Sequence, residues 1–211
     1  MSLSSRHTPL KLYSDPGSQY SHRVRIALAE KDLDVDIYDV LDPTKEEDLL
    51  LINPSLSLPT LQDRGTVLNN SSVIMEYLDE RYPHPPLFPI YPVDKARSRS
   101  IMREVDDHLA SFVDVVSAGG KPNTQQKNRA REALKSNLIA FQAHYLRDGE
   151  HFGGEEFSLV DCTVLPILWR LELMQIKLPD RQTRSLRRYM SRLFDREGFR
   201  ASLSEEEKEM R

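Results

Sequence analysis

Tyr82-Pro83-His84-Pro85-Pro86-Leu87-Phe88-Pro89-Ile90-Tyr91-Pro92 divides the chain into two unlike halves. Five prolines in eleven residues remove five backbone donors and forbid a helix. Such a segment is stiff and mostly extended. It is expected to display four rings, those of Tyr82, His84, Phe88 and Tyr91. The residues alone leave two readings open, a rigid hinge between domains or a rigid docking surface.

Upstream, short strand and helix patterns alternate. Leu10 to Ser14 alternates apolar and polar as a half-buried strand does, and Asp15-Pro16-Gly17 signals a turn. A helix is predicted from about Ser18 to Lys31, with Val24, Ala27 and Leu28 on its inner face and Ser18 as a favoured N-cap. Val35 to Leu41 alternates again. Thr44 and Glu47 have the spacing of a capping box for a second helix through Leu51. Leu58 to Leu61 and Thr66 to Leu68 read as short strands, and Ser71 to Arg81 as a helix burying Val73, Ile74, Tyr77 and Leu78. The order predicts a mixed sheet with helices packed on it.

Downstream the pattern is helical only. Met102, Val105, Leu109, Phe112 and Val116 recur at three and four residues, predicting one long helix closed by Gly119-Gly120-Lys121-Pro122. A second runs from about Thr124 to Leu146, before a loop marked by Asp148-Gly149 and Gly153-Gly154. The most apolar helix is expected through about Met174, opened by a Ser158 and Asp161 capping box and interrupted by Pro166. Another covers about Gln182 to Phe194, and Ser204 to Arg211 reads as a solvated charged tail.

Composition narrows the function classes. Of the 211 residues, 39% are hydrophobic and 29% charged, as in a globular chain. The longest apolar run, around Val164 to Trp169, is too short to span a bilayer, and Met1 to Leu10 has no signal-peptide core. No membrane association and a cytoplasmic location are the expectations. One cysteine, Cys162, excludes an intramolecular disulfide and reads as a small core residue. The six histidines have no short-spaced pair, so no metal site is expected. Residues 1–90 carry 8 basic and 14 acidic side chains, a net −6, whereas the remainder is +2. The first part is thus a poor match for nucleic-acid phosphates. Arg181, Arg184, Arg188 and Arg192 fall at three- and four-residue spacing, a solvated face or a contact for an acidic partner, too small for DNA binding by itself.

A small α/β unit, a proline linker and an all-helical unit resemble the glutathione transferase superfamily. So do the motifs Ser18-Gln19-Tyr20-Ser21-His22-Arg23-Val24-Arg25, Asn53-Pro54 with Leu58-Pro59, and Ser158-Leu159-Val160-Asp161. The resemblance implies a thioredoxin-like α+β domain at 1–82, a linker or docking loop at 83–92, and an all-α domain at 93–211. It also implies a cis peptide before Pro59 and structural roles for Ser158 and Asp161. A glutathione site of this superfamily would use a donor at Ser18, with Tyr13 as a rival, a backbone edge at Leu58 and Pro59, and a carboxylate at the third helix. Where the superfamily commonly has Glu-Ser, this chain has Asn70-Ser71, which removes a charge-assisted bond to the tripeptide amine. Glutathione is therefore not expected as a cofactor.

Ile74 through Val93, Phe157 through Cys162, Leu168-Trp169-Arg170-Leu171 and Ala201-Ser202-Leu203-Ser204 resemble one branch of the superfamily, the bacterial stringent starvation protein A family. That resemblance implies a homodimeric, non-enzymatic transcription regulator active in starvation and stress. It would bind RNA polymerase holoenzyme near the sigma factor without sequence-specific DNA contacts. The partner-binding residues so implied are Pro83, His84, Pro85 and Pro86, flanked by Tyr82 and Tyr91. The alternative function is a glutathione-dependent transferase or peroxidase.

Overall fold

The computed structural model describes residues 10–120, 122–146 and 150–211. The segment ahead of Leu10 and the expected breaks at Lys121 and Asp148-Gly149 lie outside the described residues. Strand β1 (Leu10–Ser14) pairs in parallel with β2 (Val35–Asp39) and antiparallel with β3 (Thr60–Asp63). β3 pairs antiparallel with β4 (Thr66–Leu68), so the sheet order is β2-β1-β3-β4. Helix α1 (Gln19–Glu30) supplies the crossover that the parallel pair needs. Its Val24, Ile26, Ala27 and Leu28 share one core with Ile74, Met75 and Leu78 of α3 (Ser71–Arg81).

Four local expectations are corrected. β2 is an edge strand, so its Ile37 and Tyr38 are 45% and 42% exposed rather than half-hidden by alternation. The proposed box at Thr44 and Glu47 does not form. Asp42 instead accepts from the Thr44 amide, and Pro43, with its fixed φ, opens a 3-10 turn over Pro43–Lys45 before α2 (Glu47–Ile52). In α3 the buried stripe is Ile74, Met75 and Leu78, while Val73 is exposed. Val73 and Met75 lie about 200° apart around a helix, so burying one turns the other to solvent. The predicted rings are not all displayed, because Phe88 is buried.

The second half contains α4 (Pro92–Val105), a π turn (Asp106–Ala110) and α5 (Ser111–Ser117), which run on without a break. Then follow α6 (Thr124–Tyr145), α7 (Leu159–Trp169), α8 (Arg184–Phe194), α9 (Glu197–Ala201) and α10 (Glu205–Lys208). The helix expected to reach Met174 stops at Trp169, in turns that end on Gln175 at φ 59. α8 begins at Arg184, which leaves Arg181 ahead of it; Arg184, Arg188 and Arg192 are exposed along one face of the helix, and Arg192 lies beside His151 and Glu150. Three of the four arginines therefore form the expected stripe.

α7 runs through the core, with every residue from Leu159 to Leu168 buried. Its capping box is present: the Ser158 side chain accepts from the helix while Asp161 accepts from the Ser158 amide at 2.9 Å. Asp161 is fully buried and also accepts from the Phe152 amide at 3.0 Å and the Tyr189 hydroxyl at 2.8 Å. Burial, then the Asp161 charge, pushes the Tyr189 hydroxyl well above its ordinary value, so it stays a donor. In Asp161→Asn the carboxamide supplies one acceptor oxygen where the carboxylate supplied two. A buried donor is then orphaned, and unfolding in urea should show a loss of about 1–3 kcal/mol with the fold retained.

The largest departure is the tail. Glu207, expected in a solvated end, has no exposed surface. It meets Arg25 Nη2 at 2.6 Å, Arg170 Nη2 at 2.5 Å and His22 Nδ1 at 3.1 Å. Ser204 caps α10 and donates its hydroxyl to the Pro16 carbonyl at 2.8 Å, and the Trp169 indole donates to the Glu207 carbonyl at 2.9 Å. The tail thus locks the start of α1 to the end of α7. Burial alone would raise the Glu207 carboxyl. The His22 contact and the guanidiniums of Arg25 and Arg170 more than offset it, holding it well below the usual carboxylate range. Burial pushes His22 down to about 4, Arg170 and Arg25 add to this, and Glu207 opposes it. His22 Nε2 lies 3.1 Å from Ser202 Oγ, and Nδ1 lies 3.3 Å from Arg170 Nη1 and 3.1 Å from Glu207, so the nitrogen that carries the proton sets which of these bonds forms.

Candidate docking surface

Pro83, His84, Pro85 and Pro86 are all exposed, Tyr82 is half-buried, and Tyr91 is 72% exposed. The loop is nevertheless fixed from beneath. Lys31, just past the end of α1, has a side chain with no exposed surface. Its ammonium donates to the Tyr82 carbonyl at 2.7 Å and the Pro85 carbonyl at 2.8 Å, and sits 2.8 Å from Asp79 Oδ1. An ammonium has three donors, and all three are used. Asp79 also accepts from the Leu87 amide at 2.8 Å, and the Leu87 carbonyl accepts from the Leu159 amide at 2.8 Å. One buried cation therefore ties the loop to α1 and α3, and Leu87 ties it to the start of α7.

The loop's far side is anchored by Leu87 and Phe88, both buried. The Lys95 and Arg99 head groups stand 5.9 and 5.4 Å from the Phe88 ring centre, and Arg99 forms a two-pronged pair with Glu76. Arg81 lies 5.5 Å from the Tyr82 ring centre. Pro92 occupies the first turn of α4, where its missing donor has no helical partner to lose. The peptide bonds before Pro85 and before Pro59 are both cis. The result is a rim of ion pairs, Arg81 with Asp63, Lys95 with Glu80 and Arg99 with Glu76, around an uncovered proline and imidazole surface. Lys31 and Asp79 were not singled out in the sequence. A lysine at a helix end is ordinarily a solvated charge, and nothing local marks this one as buried.

The residues of the glutathione-type pocket leave the sheet at one end. Tyr13 stands opposite Thr60 and Leu61 opposite Leu68, so Ser18, Leu58-Pro59 and Asn70-Ser71 all follow or precede strands there. Ser18 caps α1, accepting from the Tyr20 amide at 3.2 Å. Asn70 caps α3, its side-chain oxygen accepting from Ser72 at 3.0 Å and Val73 at 3.1 Å. Ser71 is buried, and Tyr13 is buried and stacked on Tyr38. A cleft of about 640 Å³ includes Ser18 together with Asp15, Asp114, Arg131, Arg170 and Glu206, but not Leu58, Pro59, Asn70 or Ser71. The tail borders it: Glu206 Oε1, at the end of an exposed side chain, lies within 2.7 Å of where a Cβ on Gly17 would stand. Arg170 donates to the Gly17 carbonyl at 2.9 Å. Among the described residues no group of three His, Cys, Asp or Glu is placed to hold a metal ion, and no helix is long and apolar enough to cross a membrane.

A four-stranded mixed sheet followed by an all-helical half, with a cis-proline at the sheet end, defines a glutathione transferase-type fold. Residues 12–86 match the family Glutathione S-transferase, N-terminal domain, and residues 106–197 match Glutathione S-transferase, C-terminal domain. The fold is also that of a delta-class glutathione transferase from Nilaparvata lugens, with a TM-score of 0.82, 22% identity and 96% of each chain covered. Within that fold the chain belongs to the stringent starvation protein A family. It is 43% identical to the stringent starvation protein A homolog of Coxiella burnetii, over 96% of this chain and 95% of that one. It is 37% identical to the homolog of Haemophilus ducreyi, over 94% and 92%.

Proposed function

We propose that this chain is a non-enzymatic transcription regulator that binds RNA polymerase holoenzyme, near its sigma factor, during starvation or stress. The docking surface is the loop Tyr82 to Pro86 with Tyr91. The observation that carries this reading is an exposed Pro83-His84-Pro85-Pro86 surface held rigid by the buried Lys31 ammonium. A preformed surface loses little entropy on binding, and proline with ring side chains offers apolar contact with polar tips. In this reading the protein acts as a homodimer in the cytoplasm and reaches promoters through the polymerase rather than by reading DNA.

Two features support the non-enzymatic assignment. Asn70 is neutral, and its oxygen already accepts two helix amides. The cleft beside Ser18 does not extend to the cis-proline edge. Calorimetry should accordingly show glutathione binding no tighter than about 1 mM; a tighter complex, with turnover lost in Ser18→Ala, would favour the transferase or peroxidase alternative.

The direct experiment replaces His84, Pro85 and Pro86 together with alanine. These side chains are exposed, and matching thermal unfolding would show that the variant keeps the fold. In a pull-down with purified polymerase holoenzyme it should retain less than roughly a tenth of the wild-type signal, as loss of about 1.4 kcal/mol or more requires. Undiminished retention would remove the loop from the interface.

A further inference from the structure

We propose that the outer face of α8 is a contact surface for the phosphate backbone of duplex DNA, made chiefly by Arg184 and Arg188 and independent of base sequence. From Lys177 to Arg200 the chain carries eight basic and three acidic side chains, a net +5. The whole chain is −4, so the remaining residues carry −9. An ordinary solvated exterior intersperses both signs. A single-sign field of this density on an otherwise acidic chain is the electrostatic footprint of an anionic partner.

The helix gathers this charge on one side. At about 100° per residue, Arg184, Arg187, Arg188 and Arg192 fall within an arc of about 140°. Leu186, Tyr189 and Leu193 take the opposite arc and are buried. The four arginines are exposed, and so is Ser191 among them. Arg187 pairs with Asp180 at 2.7 Å, and Arg192 lies beside Glu150. Among the described residues Arg184 and Arg188 form no ion pair, so their charge is not already spent within the chain. Nor does Arg184 steady the helix. It opens a first turn that holds no acidic residue, where a cation opposes the helix dipole.

What accompanies the arginines selects the occupant. Among the described residues no exposed large hydrophobic side chain lies beyond Leu173. An acidic protein would need an apolar or aromatic centre to bury, and a membrane would need an apolar helix face to enter it. A single strand would need exposed rings on which to stack its bases. Duplex phosphates need none of these. Arginine engages a phosphate with two parallel hydrogen bonds, and such contacts fix position without reading sequence. Arg184 to Arg192 spans about 12 Å of helix, over which one strand of a duplex presents three or four phosphates at about 3.4 Å each. So few contacts bind weakly at physiological salt, and the acidic remainder of the chain opposes them. The surface therefore orients DNA that another component holds rather than capturing it. This agrees with the polymerase reading but does not rest on it, and the test below contains no polymerase.

Fluorescence anisotropy of labelled duplexes tests this, with the full chain titrated at a series of salt concentrations down to low ionic strength. Two duplexes of unrelated sequence should bind alike, and log K should fall linearly with log salt. Each phosphate contact contributes about 0.9 to that slope, so Arg184→Ala with Arg188→Ala should reduce it by about 1.8. Arg97→Ala with Arg103→Ala makes the same change of charge at exposed positions of α4 and should leave the wild-type slope. Matching thermal unfolding would show both variants folded. The proposal is overturned by absent binding at low salt, by an equal fall in slope for both pairs of substitutions, or by a preference of roughly tenfold for one duplex. It is also overturned if a glutamate-rich peptide of equal charge, or vesicles of anionic phospholipid, bind more tightly than the duplex and lose that binding in Arg184→Ala with Arg188→Ala. The occupant is then an acidic protein or a membrane.

Discussion

Glu207→Ala should be among the most destabilising single substitutions in this chain, although it lies only four positions before Arg211. Removing the carboxylate leaves Arg25 and Arg170 buried without their counter-ion. Breaking a buried pair from one side costs about 3–5 kcal/mol, because the remaining charge is neither solvated nor paired. For a chain of this size that corresponds to a fall of roughly 10 °C in the unfolding midpoint. Thermal unfolding followed by circular dichroism measures it; a shift of only a degree or two would mean that the tail detaches and the arginines reach water. Glu207→Gln should fall between, keeping shape and one acceptor oxygen but losing the charge and turning an NH2 donor toward one of the arginines.

The same cluster sets an acid limit. His22 titrates at about 4 in the folded chain, below its ordinary value near 6.5, so the unfolded chain binds more protons between those values. Its contribution is present above about 6.5 and is lost as pH falls toward 4. Glu207 is also depressed, so its contribution is present above the unfolded carboxylate value and is lost progressively as pH falls below it. Both act in one direction: stability declines on acidification. Glu207→Gln should flatten the lower part of that decline, which urea unfolding at a series of pH values would show.

Lys31→Met should abolish loop presentation while leaving every exposed loop residue in place. The substitution removes the donor to Tyr82 and Pro85 and leaves the Asp79 carboxylate, largely buried, without its cation. A stability loss of the same order, about 3–5 kcal/mol, is expected. Exchange of the Leu87 amide, which donates to Asp79, should accelerate. If the loop docks on polymerase as proposed, the pull-down signal should fall as it does in the triple alanine variant. Asp161→Asn is the stability control, since Asp161 makes no hydrogen bond to residues 82–86, and it should retain binding. Full retention by Lys31→Met would show that loop geometry is not what the partner reads.

The alternation of Leu10 to Ser14, the three- and four-residue recurrences after Met102 and the density of proline after Tyr82 are local signals. They sufficed for the strand and helix order through α8, the two-part architecture and the α7 capping box, but not for α9 or α10. The matches to the glutathione transferase domains and to the stringent starvation protein A homologs agree with that reading. The edges of the reading failed where one turn chemistry outcompeted another. Asp42 capped where Thr44 was expected, and Met75 rather than Val73 faced the core. The proline stretch itself was legible as stiff, but not as anchored. Its anchor is Lys31, more than fifty positions from Tyr82's neighbours at the far end of the loop region in chain terms and in contact with them only after α1 packs on α3.

What the sequence by itself determined is everything that depends on neighbours along the chain: periodicity, turns, caps and stiffness. What only the tertiary structure decided is which charges lose their water. Lys31 and Glu207 look like ordinary surface ions in sequence, because burial is a property of the surroundings and not of the residue. Arg25, Arg170 and His22 around Glu207, and Asp79 with two loop carbonyls around Lys31, are brought together from distant parts of the chain. Only the packed fold assembles the partners that make burying those charges tolerable.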